Sequence, residues 1–393
     1  MNIKSLLLGS AAAFVAVSGA RAADAVVIAE PEPMEYVRIC DTYGVGFYYI
    51  PGTETCLKVS GYFRYDIGVG YRGLNNIGDR EDIFDGDFDS EDDTYDKRAR
   101  FQLRVDSRAE TELGTLRTYA AINFQWDTGT FAAGPFTETD AYNDFAVEHA
   151  YLELGGFRIG KTDSLFSTFT GYAGGVIADD LISYGPFDTH QIAYTFTGGN
   201  GFTAAVALEE GDGALIAPFG EGPDFINLYT LDSYVPHVVG GVGYTAGWGG
   251  VSVVAGYDAN WSEGAIKGRV DFNASDALSL FFMAGWATVD DDFFGGGFND
   301  SPNFYAGWGG DWALWTGGSW KFNEQATLNV QVSYDDLENF AAVANVAYEL
   351  VPNFVITPEI SYVDNFGDFE DDFDDEDVEQ WGGFIRFQAN FGG

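Results

Sequence analysis

Basic side chains are scarce in this sequence: 393 residues carry 19 Lys and Arg against 61 Asp and Glu, a formal charge of −42. A surface of that sign repels a phosphate backbone, so a nucleic-acid partner is excluded. Histidine is limited to His149, His190 and His237, scattered and without HExxH-type spacing, which leaves metal-assisted hydrolysis without its ligands. GxSxG and Walker motifs are absent, and Ser183 or Ser167 meeting His190 is the one weak hydrolase arrangement left. No enzyme is expected. C-terminal to Ala25 there is no run of ~18 apolar residues, so no membrane-spanning helix follows it. What the chain has in quantity is Gly (51), Phe (34) and Tyr (22), too aromatic a composition for a disordered chain.

The first residues, MNIKSLLLGSAAAFVAVSGARA, combine a basic start at Lys4, a short apolar stretch and the small-x-small end Ala20-Arg21-Ala22. This pattern predicts an export signal over 1–22. The two cysteines, Cys40 and Cys56, therefore reach an oxidising compartment, which favours a disulfide closing a loop around Pro51-Gly52. A two-ligand metal site is the weaker alternative, because no histidine lies nearby.

From Leu57 onward, short alternating segments recur between Gly, Asp and Asn clusters. In LKVSGYFRYDIGVGYR, Val59, Phe63, Tyr65, Ile67 and Val69 share one face, and Lys58, Ser60, Arg64 and Asp66 the other. RARFQLRVD, LRTYAAINFQWD and ATLNVQVSYD repeat the pattern. About sixteen segments are expected, starting near 57, 96, 114, 145, 155, 188, 200, 236, 250, 262, 278, 308, 325, 339, 353 and 379. Tight turns of the Gly-Gly type, Leu154-Gly155-Gly156-Phe157 and Thr197-Gly198-Gly199-Asn200, alternate with long polar connections. Short turns at one end and long loops at the other describe a transmembrane β-barrel. A soluble sandwich also alternates, but its polar face would carry Lys and Glu, not Arg, Asn, Gln, Ser and Thr at strand centres. Its exposed apolar faces would also aggregate in water. The last segment, VEQWGGFIRFQANF, puts Trp381, Ile385, Phe387 and Phe391 on one face; Gly392-Gly393 follow the aromatic with which such barrels usually end.

Read with these features, the chain resembles the general porins of alphaproteobacteria. The resemblance is carried by the opening MNIKSLLLGSAAAFVAVSGARAADA, then YVRICDTYGVGFYYIPGTETCLKVSGYFRYD and ETELGTLRTYA. It continues through TFTGYAGGVIADDLISYG, AYTFTGGNGFTAAVALE, PHVVGGVGYTAGWG, GGDWALW, VANVAYELVPNFVITPEISY and WGGFIRFQ. It implies an all-β, antiparallel, sixteen-stranded transmembrane barrel in the outer membrane, trimeric, with a third loop folded into the lumen. It also implies passive diffusion of small hydrophilic solutes and ions without a cofactor. The expected organisation is a signal at 1–22, a disulfide-closed segment at 23–56 and the barrel at 57–393.

Residues 162–187, TDSLFSTFTGYAGGVIADDLISYGPF, are too long for a hairpin and too apolar for a solvated loop, so they pack against something. The inner barrel wall is the expected place; a cap or a trimer contact is the alternative. Matching the family motif, Asp163, Asp179, Asp180 and Asp188 would line or flank the constriction. Basic residues concentrate between Lys58 and Lys161, and none lies between Thr162 and Ile266. Arg64, Arg98, Arg100, Arg104 and Arg117 fall on the lumen parity of the first three segments, Arg158 on that of the fifth, and Arg386 on the last, which a closed barrel places beside the first. Together they form an electropositive arc facing the loop's carboxylates, unless neighbours such as Asp66 and Asp106 pair with them. Two acidic runs, 79–96 and 364–379, read as solvated outer loops. Asp85-x-Asp87-x-Asp89 starts like a calcium loop but has Ser90 at position six and Asp96 at position twelve, so weak Ca²⁺ or Mg²⁺ bridging to lipopolysaccharide is all they suggest. Moderate cation preference is the expected selectivity. A solute-specific channel and an adhesive surface barrel are the rival readings.

Overall fold

The computed structural model describes residues 38–393 apart from 71–79, 82–90, 93–94, 134–135, 213, 218–223, 228, 289–302, 365–379 and 393. The signal at 1–22, most of the first acidic run and all of the second but Asp364 lie outside the described residues.

Sixteen antiparallel strands close on themselves: β1 (Cys56–Gly70), β2 (Asp96–Thr111), β3 (Gly114–Ala133), β4 (Phe136–Leu154), β5 (Phe157–Asp163), β6 (Asp188–Thr197), β7 (Phe202–Gly211), β8 (His237–Ala246), β9 (Gly249–Asp258), β10 (Glu263–Ser275), β11 (Leu278–Ala287), β12 (Trp312–Lys321), β13 (Ala326–Asp335), β14 (Phe340–Val351), β15 (Phe354–Asp364) and β16 (Gln380–Phe391). Each pairs with its neighbours in sequence, and β16 pairs with β1 to complete the ring. Closure satisfies the backbone ladder without leaving an edge, as a structure in hydrocarbon must.

The alternation expected from the sequence is the inside–outside alternation of the barrel. Val59, Phe63 and Val69 of β1 and Phe124 and Trp126 of β3 are exposed outward, while Tyr62, Asp66, Asn123 and Asp127 are buried inward. Exposed aromatics gather at both rims: Phe157, Phe202, Trp248, Phe272 and Trp320 near the short turns, and Tyr257, Trp286 and Trp381 near the long loops. These are the girdles of an outer-membrane barrel.

Three boundaries differ from expectation. β4 starts at Phe136, not near 145, because the β3–β4 ladder continues from Asp127↔Tyr142 to Ala133↔Phe136. The turn after β6 spans 198–201, closed by Gly198 N–H donating to Phe202 O at 2.7 Å. β12 starts at Trp312, because 303–311 folds inward: Phe304, Tyr305 and Trp308 are buried against the wall. The wall makes room for them with glycines. A Cβ at Gly211, Gly256 or Gly285 would come within 2.2, 2.5 or 2.8 Å of Phe304, Tyr305 or Trp308.

The Cys40–Cys56 disulfide is formed, with a Cα–Cα distance of 6.0 Å, which removes the metal alternative. Its loop packs Tyr43 and Phe47 over the Arg108 guanidinium, at 5.6 and 5.0 Å, beside the barrel's short-turn end. Cys56 is itself the first residue of β1, so the segment expected to end there is welded to the barrel wall.

Candidate functional site: the constricted lumen

Loop 3 occupies 164–187, between β5 and β6, and lies inside the barrel. It opens with a short helix, α1 (Leu165–Thr170), capped by Ser164, whose Oγ accepts from Phe166 N–H at 3.1 Å. The same hydroxyl donates to Glu209 on β7 at 2.7 Å, and Leu165 N–H donates to the other Glu209 oxygen at 2.7 Å. Phe169 of α1 seats on Gly241 of β8, where a Cβ would stand 2.6 Å from the ring. Leu165, Phe166, Ile182 and Tyr184 join Val239, Val254, Met283, Trp315, Tyr305 and Trp308 in an apolar core. The core of this protein therefore sits inside the barrel, between loop and wall, on the β6–β12 side.

Beyond α1, side chains from the wall hold the loop backbone in sequence around the ring. Arg269 on β10 donates to Tyr172 O at 2.5 Å, and Lys267, on the same strand, donates to Tyr184 O. Trp315 on β12 donates to Ile182 O at 2.9 Å and Gln331 on β13 to Asp179 O at 2.7 Å. Asn345 on β14 reaches Gly175 O at 3.2 Å. Glu359 on β15 accepts from Ile177 N–H at 2.5 Å and Ala178 N–H at 2.9 Å. Gly174 and Gly175 let the backbone lie directly on the wall; Cβ atoms there would be 2.4 Å from Gln331 Oε1 and 2.6 Å from Asn329 Oδ1. Glu209 and Glu359, the two carboxylates that pin the loop's start and its tip, were not singled out from the sequence. A single charged residue on the lumen parity of its strand was the available signal.

The wall left uncovered is β16 and β1 through β4, and its side chains form horizontal rows fixed by register. The uppermost runs Arg386–Asp66–Arg98–Asp127 across β16, β1, β2 and β3, with ion pairs of 3.0 Å (Arg386–Asp66) and 2.9 Å (Arg98–Asp127). The next runs Gln388–Arg64–Arg100–Gln125. Below it Gln102 donates to Asn123 at 2.9 Å, and Asn123 donates in turn to Glu148. Arg104 follows between Ser60 and Ala121. Nearest the short turns, Arg117 bridges Asp106 at 3.0 Å and Glu153 at 2.8 Å, and Arg158 pairs with Glu153 at 2.7 Å. The arc is thus of two kinds. Arg98, Arg117, Arg158 and Arg386 are neutralised by carboxylates, whereas Arg64, Arg100 and Arg104 bond only amide oxygens among the described residues.

Of the loop carboxylates, Asp163 closes β5 and accepts from the Tyr172 hydroxyl at 2.5 Å. Asp179 accepts from the Tyr184 hydroxyl at 3.0 Å with Asp180 beside it, both partly exposed. Burial, and then the charge of Asp180, push the Asp179 carboxyl up to about 7; burial raises Asp180 as well. Burial and the bond to Asp163 raise the Tyr172 phenol, which also feels Asp179. The structure therefore brings Asp163 and Asp179 to Tyr172, with Asp180 beside Asp179. Asp188 stands directly opposite Asp163 in the β5–β6 register, on the parity of His190 and Ile192, but its side chain pairs with Lys161 and not with loop 3 among the described residues. The inward parity of β6 belongs to Thr189, Gln191 and Ala193.

The serine–histidine arrangements are not formed. The Ser167 hydroxyl donates to Pro186 O at 2.6 Å within loop 3, and His190 is on the outside of the wall. Among the described residues no three His, Cys, Asp or Glu side chains are grouped to hold a metal.

Comparison with known proteins agrees with this architecture. The profile described as "Porin subfamily" matches residues 24–384. The chain is 45% identical to porin Omp2a of Brucella melitensis and 45% identical to porin Omp2b of Brucella neotomae, in each case over the full length of both chains. In fold it is similar to the outer membrane channel DcaP of Acinetobacter baumannii, with a TM-score of 0.59 and 17% identity, covering 87% of this chain and 99% of that one.

Proposed function

The chain belongs to the porin subfamily, and from that premise we propose how its lumen treats solutes. It is a general outer-membrane porin, a water-filled channel for passive diffusion of small hydrophilic solutes and ions. We assign it a moderate cation preference. The observation that carries this is the imbalance of unpaired charge facing the lumen above the pH near 7 at which Asp179 takes up a proton. Asp144, Glu148, Asp163, Asp179 and Asp180 have no basic partner within ion-pair distance among the described residues; on the basic side only Arg64, Arg100 and Arg104 of the arc lack an acidic one. Fixed charges facing one another across a narrow aqueous gap act with little screening, whereas acidic runs farther than the ~8 Å Debye length from it would act mainly by concentrating cations at the mouth. The transverse field between loop 3 and the arginine wall orients dipolar solutes and disfavours apolar ones, which gain nothing for the ordered water they displace.

The working unit is proposed as a homotrimer in contact with lipopolysaccharide, needing no cofactor, its acidic outer loops binding Ca²⁺ or Mg²⁺ weakly. Conductance in planar bilayers tests the reading. Linear steps in groups of three and a cation-directed reversal potential in a KCl gradient support it. Conductance that saturates with KCl points to a solute-specific channel, and absence of steps to a structural barrel.

A further inference from the structure

Arg64 and Arg100 stand directly opposite one another in the β1–β2 register. Like charges in that position destabilise a sheet, and an acid on either flank would relieve them, as Asp66 and Asp127 do for Arg386 and Arg98 one row above. Both flanks hold amides instead. Gln388 accepts from Arg64 Nε at 2.9 Å and Gln125 accepts from Arg100 Nε at 2.6 Å. An amide fixes the plane of a guanidinium and occupies one donor, but it leaves the positive charge and the terminal N–H groups available. Arg104 repeats the arrangement with Gln102, and its row neighbours Ser60 and Ala121 are too small to cover it. Tyr62 lies between, its ring centroid 4.4 Å from the Arg64 guanidinium carbon and 5.4 Å from that of Arg104. Two oriented, half-buried guanidinium groups, Arg64 and Arg104, thus flank one ring on the uncovered wall, and Arg100 stands opposite Arg64 in the register. No carboxylate of the described residues lies within ion-pair distance of them.

We propose that Arg64, Arg100 and Arg104 form a binding site for the phosphoryl group of permeating solutes. The assignment rests on the channel reading above and adds a solute class to it. A phosphate dianion offers three terminal oxygens and two charges to three forked donors, each bond being charge-assisted. A monocarboxylate satisfies fewer of them. The amide supports hold the forks open before the solute arrives, so little ordering is left for the moment of binding. The site slows phosphoryl solutes in passing without making the pore anion-selective, because the carboxylates of loop 3 and β4 outnumber these arginines.

The test is single-channel conductance in KCl at pH 8 and constant ionic strength, with inorganic phosphate titrated in place of chloride. The expected result is a saturable reduction of current by phosphate. Arg100→Gln should raise the half-saturating concentration by about tenfold or more, the loss expected for one charge-assisted bond. Arg100→Lys should weaken phosphate similarly, because the charge is kept and the fork is lost. Glucose 6-phosphate, added separately, distinguishes phosphate esters from free phosphate; saturation by either one supports the site and names its source. Three results would overturn it: a current that follows phosphate without saturating, equal saturation by acetate, or unchanged saturation in both variants. Ordinary KCl steps certify that each variant is folded. Their absence from the unmodified protein would defeat the channel reading and not the site.

Discussion

Removing the Glu359 carboxylate should release the far end of loop 3 while leaving the barrel intact. Glu359 is 7% exposed and accepts the backbone N–H groups of Ile177 and Ala178 together with Asn345 Nδ2 at 2.9 Å. Glu359→Ala leaves two backbone donors facing a space where the lumen supplies water. Each unsatisfied donor costs about 1–3 kcal/mol when buried, and water keeps both near the low end, so together the loss is about 2 kcal/mol, or ~30-fold in the ratio of seated to unseated loop. The tip is where this acts, because 177–178 lies far along the chain from the attachments at β5 and β6. α1 keeps its own carboxylate, Glu209. In planar bilayers the variant should show larger mean steps and excess open-channel noise, with unchanged heat-resistant migration on gels. Glu359→Gln keeps one acceptor oxygen and should fall between. If Glu359→Ala folds and its steps and noise equal those of the original protein, the loop is not held at this point and the reasoning fails.

Three further outcomes follow from the same geometry. Asp179→Asn with Asp180→Asn should shift the zero-current potential toward anions, whereas Asp188→Asn, on the outward parity of β6, should leave it unchanged; an equal shift from Asp188→Asn would contradict its placement. Because burial and Asp180 push the Asp179 carboxyl up to about 7, the constriction gains a proton and loses negative charge as pH falls through that value. Cation preference measured in a KCl gradient should therefore weaken between pH 8 and pH 6, and a flat profile would argue against it. Reducing Cys40–Cys56, a separation of 16 residues, removes on the order of 3 kcal/mol of loop closure; it should loosen 40–55 without abolishing the barrel's heat-resistant migration, and loss of that migration on reduction alone would refute the estimate.

What the sequence by itself determined was everything that has a local cause. The two-residue period of a strand is steric, so Val59 and Phe63 against Arg64 and Asp66 already sorted outside from inside. The apolar content of loop 3 already required a surface to pack on, and the cysteine pair needed only its compartment. Asp188 belonged to this class too. Its alternation with His190, Ile192 and Tyr194 placed it on the outward parity, and a motif match set that parity aside. The tertiary structure alone decided which residues share a row. Asp66 meets Arg386 only because the barrel closes, β16 on β1, in one register. Likewise Glu359 meets Ile177 and Ala178 only because a loop rooted at β5 crosses the lumen to β15. Neutralised and unneutralised arginines look identical along the chain. Their difference is a matter of which side chains the closed ladder sets beside them, and that depends on pairing between distant segments, which no local period encodes.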